Sequence, residues 1–142
     1  MQKLLSMKTP FIIERDAIID YRGNLCFWEN ASYLPFEIAR TYWIYDVPSG
    51  QFRGSHALKE QEEVIIALSG SFTVELENEN FNDKFTLNRS NIGLYIPSMT
   101  WRSLHNFSTN SICLVLSSKS FSEDDYIRSY NEFKKLISIE NI

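Results

Sequence analysis

The chain contains 142 residues, with 14 Lys and Arg against 18 Asp and Glu and a formal net charge of −4. This length is typical of one domain, and since no repeat or linker divides the chain, we expect residues 1–142 to form a single domain. The negative balance argues against nucleic acid or an anionic membrane as a partner. Aromatic residues make up 14% of the chain, which predicts a core, an interface or a ligand pocket rich in rings.

The apolar runs of the sequence are short. The longest, residues 64–68 and 112–116, are far below the roughly 20 residues that a membrane helix needs. The first residues lack the apolar stretch of a signal peptide, so we expect a cytoplasmic protein without a membrane partner. Cys26 and Cys113 have no Cys or His beside them at metal-binding spacing, which predicts two reduced thiols.

From about residue 11 to residue 117 the sequence is a series of short segments rich in aromatic and β-branched residues, separated by Gly, Pro, Asn or Ser. This pattern is typical of an all-β sandwich or barrel. The predicted strands are 25–29, 37–45, 52–58, 64–68, 72–76, 84–87, 93–96, 100–104 and 112–116.

Residues 63–77 carry the clearest alternation. Apolar side chains alternate in 64–68 and again in 72–76, and Ser69-Gly70-Ser71 lies between them. The pattern predicts a β-hairpin with one face in water.

The period changes near the C-terminus. Ser122 can cap a helix whose first turn carries three acidic residues, and an apolar stripe follows at helical spacing. The stripe consists of Tyr126, Tyr130, Phe133 and Ile137. We expect a helix over about 122–138 that lies on the outside of the β-structure and uses this stripe for packing.

The segment around His56 resembles the first motif of the cupin superfamily. It reads Arg53-Gly54-Ser55-His56-Ala57-Leu58-Lys59, with Glu63 and Gly70 further on. The resemblance implies a double-stranded β-helix, or jelly-roll barrel, in which this motif supplies metal ligands. Leu58 stands where the second histidine would be, on the same strand face as His56 because side chains alternate.

The second cupin motif can be laid on residues 97–106, where Arg102 takes the ligand position. His105 lies three residues further and so faces the opposite side of a strand. His56 and Glu63 alone are too few ligands for zinc or iron, and a guanidinium in the cavity would repel a cation. We therefore expect a cavity without metal or any other cofactor.

Such a cavity suits proton transfer on a bound anion. Imidazole titrates near neutral pH, so His56 can act as a general base next to a carbonyl-activated C–H bond. Arg53 and Lys59 flank His56 at three residues on either side, and Arg102 can face the same cavity. Glu63 near His56 would raise its basicity and orient the ring.

Several tracts together resemble the dTDP-sugar 3,4-ketoisomerase family over nearly the whole chain. They are residues 35–48, Arg53-Gly54-Ser55-His56-Ala57-Leu58-Lys59, 68–72, 93–97, Trp101-Arg102 and Asp125-Tyr126-Ile127-Arg128-Ser129-Tyr130. The resemblance implies a small cupin, dimeric with exchanged N-terminal strands. It also implies an isomerase that converts dTDP-4-keto-6-deoxyglucose into its 3-keto isomer without a cofactor, for the deoxysugars and amino sugars of surface polysaccharide such as the O-antigen of lipopolysaccharide.

The resemblance also implies roles for individual residues. His56 falls on the family's first active-site histidine, and we expect it to be catalytic together with Glu63. Trp101 or Tyr42 could stack on thymine or on a sugar face. The expected substrate-binding residues are Arg40, Tyr42, Arg53, Lys59, Trp101 and Arg102. The sequence departs from the family pattern at Leu58, where the family has His, and at Glu63, where it commonly has Gln.

Two other functions stay open at this stage. Arg53-Gly54-Ser55-His56 also resembles the corresponding tract of the dTDP-4-keto-6-deoxyglucose 3,5-epimerases. Leu58 in place of the second histidine is compatible with a cupin that binds a nucleotide sugar without catalysis.

Overall fold

The structure is a computed structural model that describes residues 9–140, without the side chains of residues 139 and 140. Within this part the chain forms ten strands, a short 3-10 turn at Glu123–Asp125 and one α-helix, α1 (Tyr130–Glu140). The strands are β1 (Phe11–Glu14), β2 (Arg40–Tyr45), β3 (Arg53–Leu58), β4 (Glu63–Ser69), β5 (Phe72–Asn78), β6 (Phe81–Leu87), β7 (Ile92–Ile96), β8 (Trp101–His105), β9 (Ile112–Ser117) and β10 (Tyr126–Ile127).

The strands form two five-stranded antiparallel sheets. The first sheet has the order β1-β7-β4-β9-β2, and the second has the order β10-β3-β8-β5-β6. Apart from the β5–β6 hairpin, successive strands from β2 to β9 lie in different sheets, as in a jelly roll, and β1 and β10 each add a strand. The predicted all-β, cupin-type barrel with a C-terminal helix is confirmed.

The main hydrophobic core lies between the two sheets. Ile65 and Ala67 of β4 meet Val74 and Leu76 of β5 there. On the outer face of the first sheet, Val64 packs with Leu34 and other residues of the segment before β2 in a second cluster. Burial on both faces explains why residues 63–67 are buried without exception.

The predicted hairpin over residues 63–77 is wrong. β4 and β5 belong to different sheets, and neither pairs with the other. Ser69-Gly70-Ser71 carries the chain from one sheet to the other, and Gly70 has a positive φ of 67°. Alternation of apolar residues is the same in a hairpin and in two strands that face each other across a core, so it does not distinguish them.

The predicted helix over 122–138 begins too early. Residues 126–127 form β10, which pairs with Leu58 and Ala57 of β3. Helix α1 begins at Tyr130, where the Ser129 hydroxyl accepts a hydrogen bond from the Glu132 N–H (3.3 Å). Pairing with an open sheet edge satisfies the backbone of residues 126–127 and overrides the helical spacing of Tyr126.

The predicted strand 25–29 is also wrong. Leu25 forms only an isolated bridge with Ile18, and Trp28 packs on the outer face of the first sheet. Both Cys26 and Cys113 are free, as predicted. No helix within residues 9–140 is long and apolar enough to cross a membrane.

Gly70→Ala should destabilise the fold strongly. A Cβ at this position would lie 2.4 Å from Ser108 Oγ and 2.9 Å from the Ser111 Cα, in addition to the cost of a positive φ. We expect a loss of about 2 to 4 kcal/mol in the free energy of unfolding, measured by urea denaturation.

Gly50→Ala is the matched control. Gly50 also has a positive φ, but apart from its two chain neighbours no atom of the described residues lies within 4 Å of the position that an alanine Cβ would take there. It should lose only about 1 kcal/mol, and equal losses in the two variants would contradict the packing argument for Gly70.

Candidate active site

A cavity of about 820 Å³ lies against the inner side of the barrel. Its wall is formed by β2, the segment that joins β2 to β3, and parts of β3, β4, β8 and β10. The sequence-predicted residues on this wall are Tyr42, Arg53, His56, Glu63 and Arg102. The volume lies within the range of small-molecule binding sites.

A β-bulge in β3 sets the position of His56. Arg53 is paired with Leu104 and His56 with Arg102, so one extra residue of β3 is accommodated between the two pairs. Gly54 adopts a positive φ of 68° here, and a Cβ on it would lie 3.0 Å from Leu104 Cδ1. A glycine at this position therefore allows β3 and β8 to approach closely and brings His56 opposite Arg102.

His56 and Leu58 share the inner face of β3, as the alternation predicts. Ala57 between them packs outward in a cluster with Ile127 and Phe133. Leu58 is fully buried and pairs with Tyr126, and it is not part of the cavity wall. A buried Leu58 side chain thus occupies the position where the family has its second histidine.

His56 is held as a neutral imidazole. Its side chain is buried beside the Tyr126 ring, at 4.8 Å between ring centroids. The Nε2 atom has no hydrogen-bond partner among the residues that the structure describes. Burial, followed by the charges of Arg102, Arg128 and Arg40, lowers the pKa of His56 to about 3.

Glu63 is the centre of a buried hydrogen-bond network. Its Oε1 accepts from Arg102 Nη1 (2.6 Å), and its Oε2 accepts from the Tyr42 hydroxyl (2.7 Å) and from Ser117 Oγ (2.8 Å). Burial and the adjacent Glu63 carboxylate raise the pKa of Tyr42, so this hydroxyl stays protonated. The expectation that Glu63 raises the basicity of His56 is wrong, because Glu63 is engaged with these partners and the arginine charges are not cancelled at the imidazole.

Arg40, a predicted substrate-binding residue, does not line the cavity but lies beside Tyr42, which does. Its Nη2 donates to Gln61 Oε1 (2.9 Å), and its guanidinium lies 4.8 Å from the centroid of the Tyr42 ring. Its charge reaches His56, as the lowered pKa of that residue indicates.

Two predicted residues lie away from the cavity. Lys59 is exposed and lines a smaller cleft with Glu60 and Asp125. Trp101 faces outward from β8 and packs against Phe133 of α1, at 5.7 Å between ring centroids. Neighbouring residues on a strand face opposite sides, so Arg102 in the cavity requires Trp101 outside it.

Arg128 and Tyr126 line the cavity but are not among the predicted site residues, because both fall within the helix expected from the sequence. The Arg128 guanidinium lies 4.4 Å from the centroid of the Tyr126 ring. The exposed rings of Trp43 and Phe52 on the cavity wall are likewise not among the predicted residues. The β-prone tract Tyr126-Ile127-Arg128 was the sequence signal that could have identified Tyr126 and Arg128.

The donor set does not fit a metal ion. Within residues 9–138 no group of three or more His, Cys, Asp or Glu side chains could hold one. Both oxygens of Glu63 are occupied by hydrogen-bond donors, and one of these donors is the cationic Arg102.

Residues 8–138 match the family model described as "FdtA: WxcM-like, C-terminal". The chain belongs to this family. A curated member, the TDP-4-oxo-6-deoxy-α-D-glucose-3,4-oxoisomerase of Aneurinibacillus thermoaerophilus, is 39% identical over 131 residues, which are 92% of this chain and 94% of that protein.

Solved structures of family members agree with this assignment. A 3,4-ketoisomerase from Helicobacter canadensis is 42% identical, with a TM-score of 0.86 over 91% of this chain and 97% of that one. The sugar 3,4-ketoisomerase QdtA from Thermoanaerobacterium thermosaccharolyticum, in complex with TDP, is 32% identical, with a TM-score of 0.89 over 94% and 97%. The resemblance to sugar-nucleotide 3,4-ketoisomerases and the prediction of an isomerase are confirmed.

The protonation of His56 can be measured directly, because the chain has only two histidines. With a pKa near 3, its Cε1 proton signal should not move between pH 8 and pH 5 in an NMR titration of the free protein. A midpoint near 6.5 for His56, assigned through His56→Asn, would contradict the electrostatic picture.

The lowered pKa of His56 also makes the free energy of unfolding depend on pH. The unfolded chain binds a proton on His56 below about pH 6.5, whereas the folded chain does not until about pH 3. The free energy of unfolding should therefore rise with pH across this window, with a contribution from His56 of up to about 1.4 kcal/mol per pH unit. The slope should be smaller in His56→Asn.

Proposed function

We propose that the chain moves the carbonyl of a dTDP-linked 4-keto-6-deoxyhexose from C4 to C3, with His56 as the base that carries the proton. The observation that supports this most is the buried, neutral imidazole with an unpartnered Nε2, opposite Arg102 on the wall of a large cavity. The named activities of the relatives support the same class of reaction.

The reaction needs one base and a stabilised enediol. His56 removes the proton at C3, which the C4 ketone acidifies, and returns it at C4 after the double bond has formed between the two carbons. The ketone then stands at C3, and no electrons are exchanged with a cofactor. The imidazole is unprotonated and can accept the C3 proton once the anionic substrate offsets the arginine charges that lower its pKa, and the Arg102 guanidinium can stabilise negative charge on the oxygens of C3 and C4.

One histidine suffices in this scheme. Leu58 has no proton to exchange, so both transfers on carbon fall to His56. The proton of the C3 hydroxyl moves to the C4 oxygen within the enediolate, and the Tyr42 hydroxyl, which stays protonated and donates to Glu63, can accept a hydrogen bond from the substrate. Glu63 then acts at the active site by holding Tyr42 and Arg102.

The diphosphate would bind at arginines on and beside the cavity wall. Arg40 lies over the Tyr42 ring, Arg128 lies over the Tyr126 ring, and Arg53 is exposed on the wall. A guanidinium can donate two hydrogen bonds to one phosphate, which suits this ligand. The dTDP moiety is further supported by relatives solved with TDP and with TDP-4-keto-6-deoxyglucose.

We also infer a homodimer with exchanged N-terminal strands, in which the place that β1 takes beside β7 within one chain would be taken by β1 of the partner. Residues 1–8 lie outside the described part, but the segment that follows β1 exposes large apolar side chains, with Ile19 74% and Tyr21 98% exposed. Large apolar side chains that are exposed this close together in the sequence favour an interface. The expected location is the cytoplasm, with a product used for the deoxysugars of O-antigen lipopolysaccharide.

The reaction can be followed by proton NMR with dTDP-4-keto-6-deoxyglucose in heavy water. We expect the ketone to appear at C3 and deuterium to enter at the carbons that exchange. His56→Asn should reduce both rates by about 10²- to 10⁴-fold, the usual contribution of a general base.

Two outcomes would favour the other functions. Inversion at C5 with the ketone still at C4 would indicate a 3,5-epimerase. Binding of dTDP with no exchange and no product would indicate a non-catalytic nucleotide-sugar-binding protein.

The dimer has its own test in light scattering after size-exclusion chromatography. The wild-type chain should elute with twice the mass of one chain, and Ile19→Asp should shift it towards the monomer. Asn80→Asp, on the exposed turn between β5 and β6, is the control and should leave the dimer intact. A wild-type monomer would contradict the interface.

A further inference from the structure

An acidic residue outside the cavity holds one of the cavity arginines. Arg128 lines the cavity, and its Nε and Nη2 atoms donate to the two carboxylate oxygens of Glu123 at 2.6 and 2.9 Å. This pairing uses one edge of the guanidinium. The Nη1 edge has no acceptor among the residues that the structure describes, so it is available to a ligand.

The backbone that carries Glu123 is fixed to the neighbouring loop. The Asp125 carboxylate accepts hydrogen bonds from the N–H groups of Glu60 (2.9 Å) and Gln61 (3.1 Å), and the Asp125 carbonyl accepts one from the Lys59 N–H (2.9 Å). Directly after the turn, β10 pairs with β3, the strand of His56. The turn Glu123–Asp125 therefore has a defined position relative to the base.

The same turn is connected to Arg40. Gln61 is fully buried, its N–H donates to Asp125, and its side-chain oxygen accepts from Arg40 Nη2 (2.9 Å). Arg128 is thus held directly by the Glu123 side chain, and Arg40 is held by Gln61, whose backbone N–H is bound by Asp125. Both arginines, which are far apart in the sequence, are therefore positioned by the same turn.

We propose that the turn Glu123–Asp125 is a positioning element for the anion-binding arginines, and that Glu123 orients Arg128 so that its free edge faces the ligand. This inference rests on the proposed function in taking that ligand to be a nucleoside diphosphate. An arginine that is ordered before the ligand arrives loses less side-chain entropy on binding. Glu123 does not touch the substrate, so its contribution is to affinity and not to the proton transfers.

The Glu123–Arg128 ion pair is exposed, but its bidentate geometry allows it to orient the Arg128 side chain. Isolated surface pairs contribute little, because two flexible side chains must be immobilised to form them. Here the carboxylate starts from an anchored turn, and the guanidinium rests on the Tyr126 ring. Both partners are therefore restricted before they meet.

The test is a double-mutant cycle on the affinity for dTDP, measured by calorimetry on the full chain. Glu123→Ala should raise the Kd about threefold to tenfold, the cost of ordering one free arginine side chain. Glu123→Gln keeps an acceptor for one guanidinium N–H and should restore part of the affinity. In the Arg128→Gln background, Glu123→Ala should have no further effect. In kinetics, Glu123→Ala should raise KM and leave kcat within about twofold.

Glu60→Gln is the matched control. Glu60 also forms an exposed ion pair beside the turn, with Lys119, and Lys119 does not line the cavity. This variant should bind dTDP as the wild type does.

Three results would overturn the inference: unchanged or tighter dTDP binding by Glu123→Ala, a full effect of Glu123→Ala in the Arg128→Gln background, or an equal loss in Glu60→Gln. Failure of the proposed function is a separate result. A wild-type chain that binds dTDP without moving the carbonyl would refute the function alone, and one that does not bind dTDP would refute both.

Discussion

The ion pair between Glu63 and Arg102 joins the two sheets at the level of the cavity. Glu63 is on β4 of the first sheet and Arg102 is on β8 of the second, and the side chains of both are 1% exposed. Removing two charges from water is costly unless their remaining hydrogen-bonding groups are also satisfied. Tyr42 and Ser117 donate to the Glu63 carboxylate, and the Thr100 carbonyl accepts from Arg102 Nη2, while Arg102 Nε is buried without a partner among the residues that the structure describes. At this level the space between the sheets is a polar site instead of an apolar core.

This pair also sets the electrostatic environment of His56. Arg102 is fixed opposite His56 by strand pairing and by its bond to Glu63, so its charge acts on the imidazole permanently. Arg128 and Arg40 add to the same field, and burial removes the water that would weaken it. Under the proposed function, an anionic ligand that binds Arg40 and Arg128 would reduce this field and so raise the proton affinity of His56 through charge alone.

Much of the fold was predictable because strand signals are local. Eight of the nine predicted strands overlap the strands found, since alternation and turn residues act over a few positions. The hairpin was not predictable in this way, because residues 64–68 and 72–76 alternate alike whether they pair or face each other across a core. Tyr126 fitted a helical stripe, but the edge of β3 was available to it, and only the assembled sheet offers that edge.

For the site, the sequence by itself determined the chemistry at single positions: a histidine in the first motif, an arginine in place of a metal ligand, and Leu58 in place of a second imidazole. These follow from residue identity and from the two-residue period of a strand. Only the tertiary structure decided which groups meet. In the folded chain Glu63 pairs with Arg102 across the sheets, Trp101 packs against α1, and Lys59 lines a separate cleft. Arg128 also lies at the cavity only in the folded chain, because β10 pairs with β3, which is about 70 residues away in the sequence. No local sequence pattern carries information over that distance.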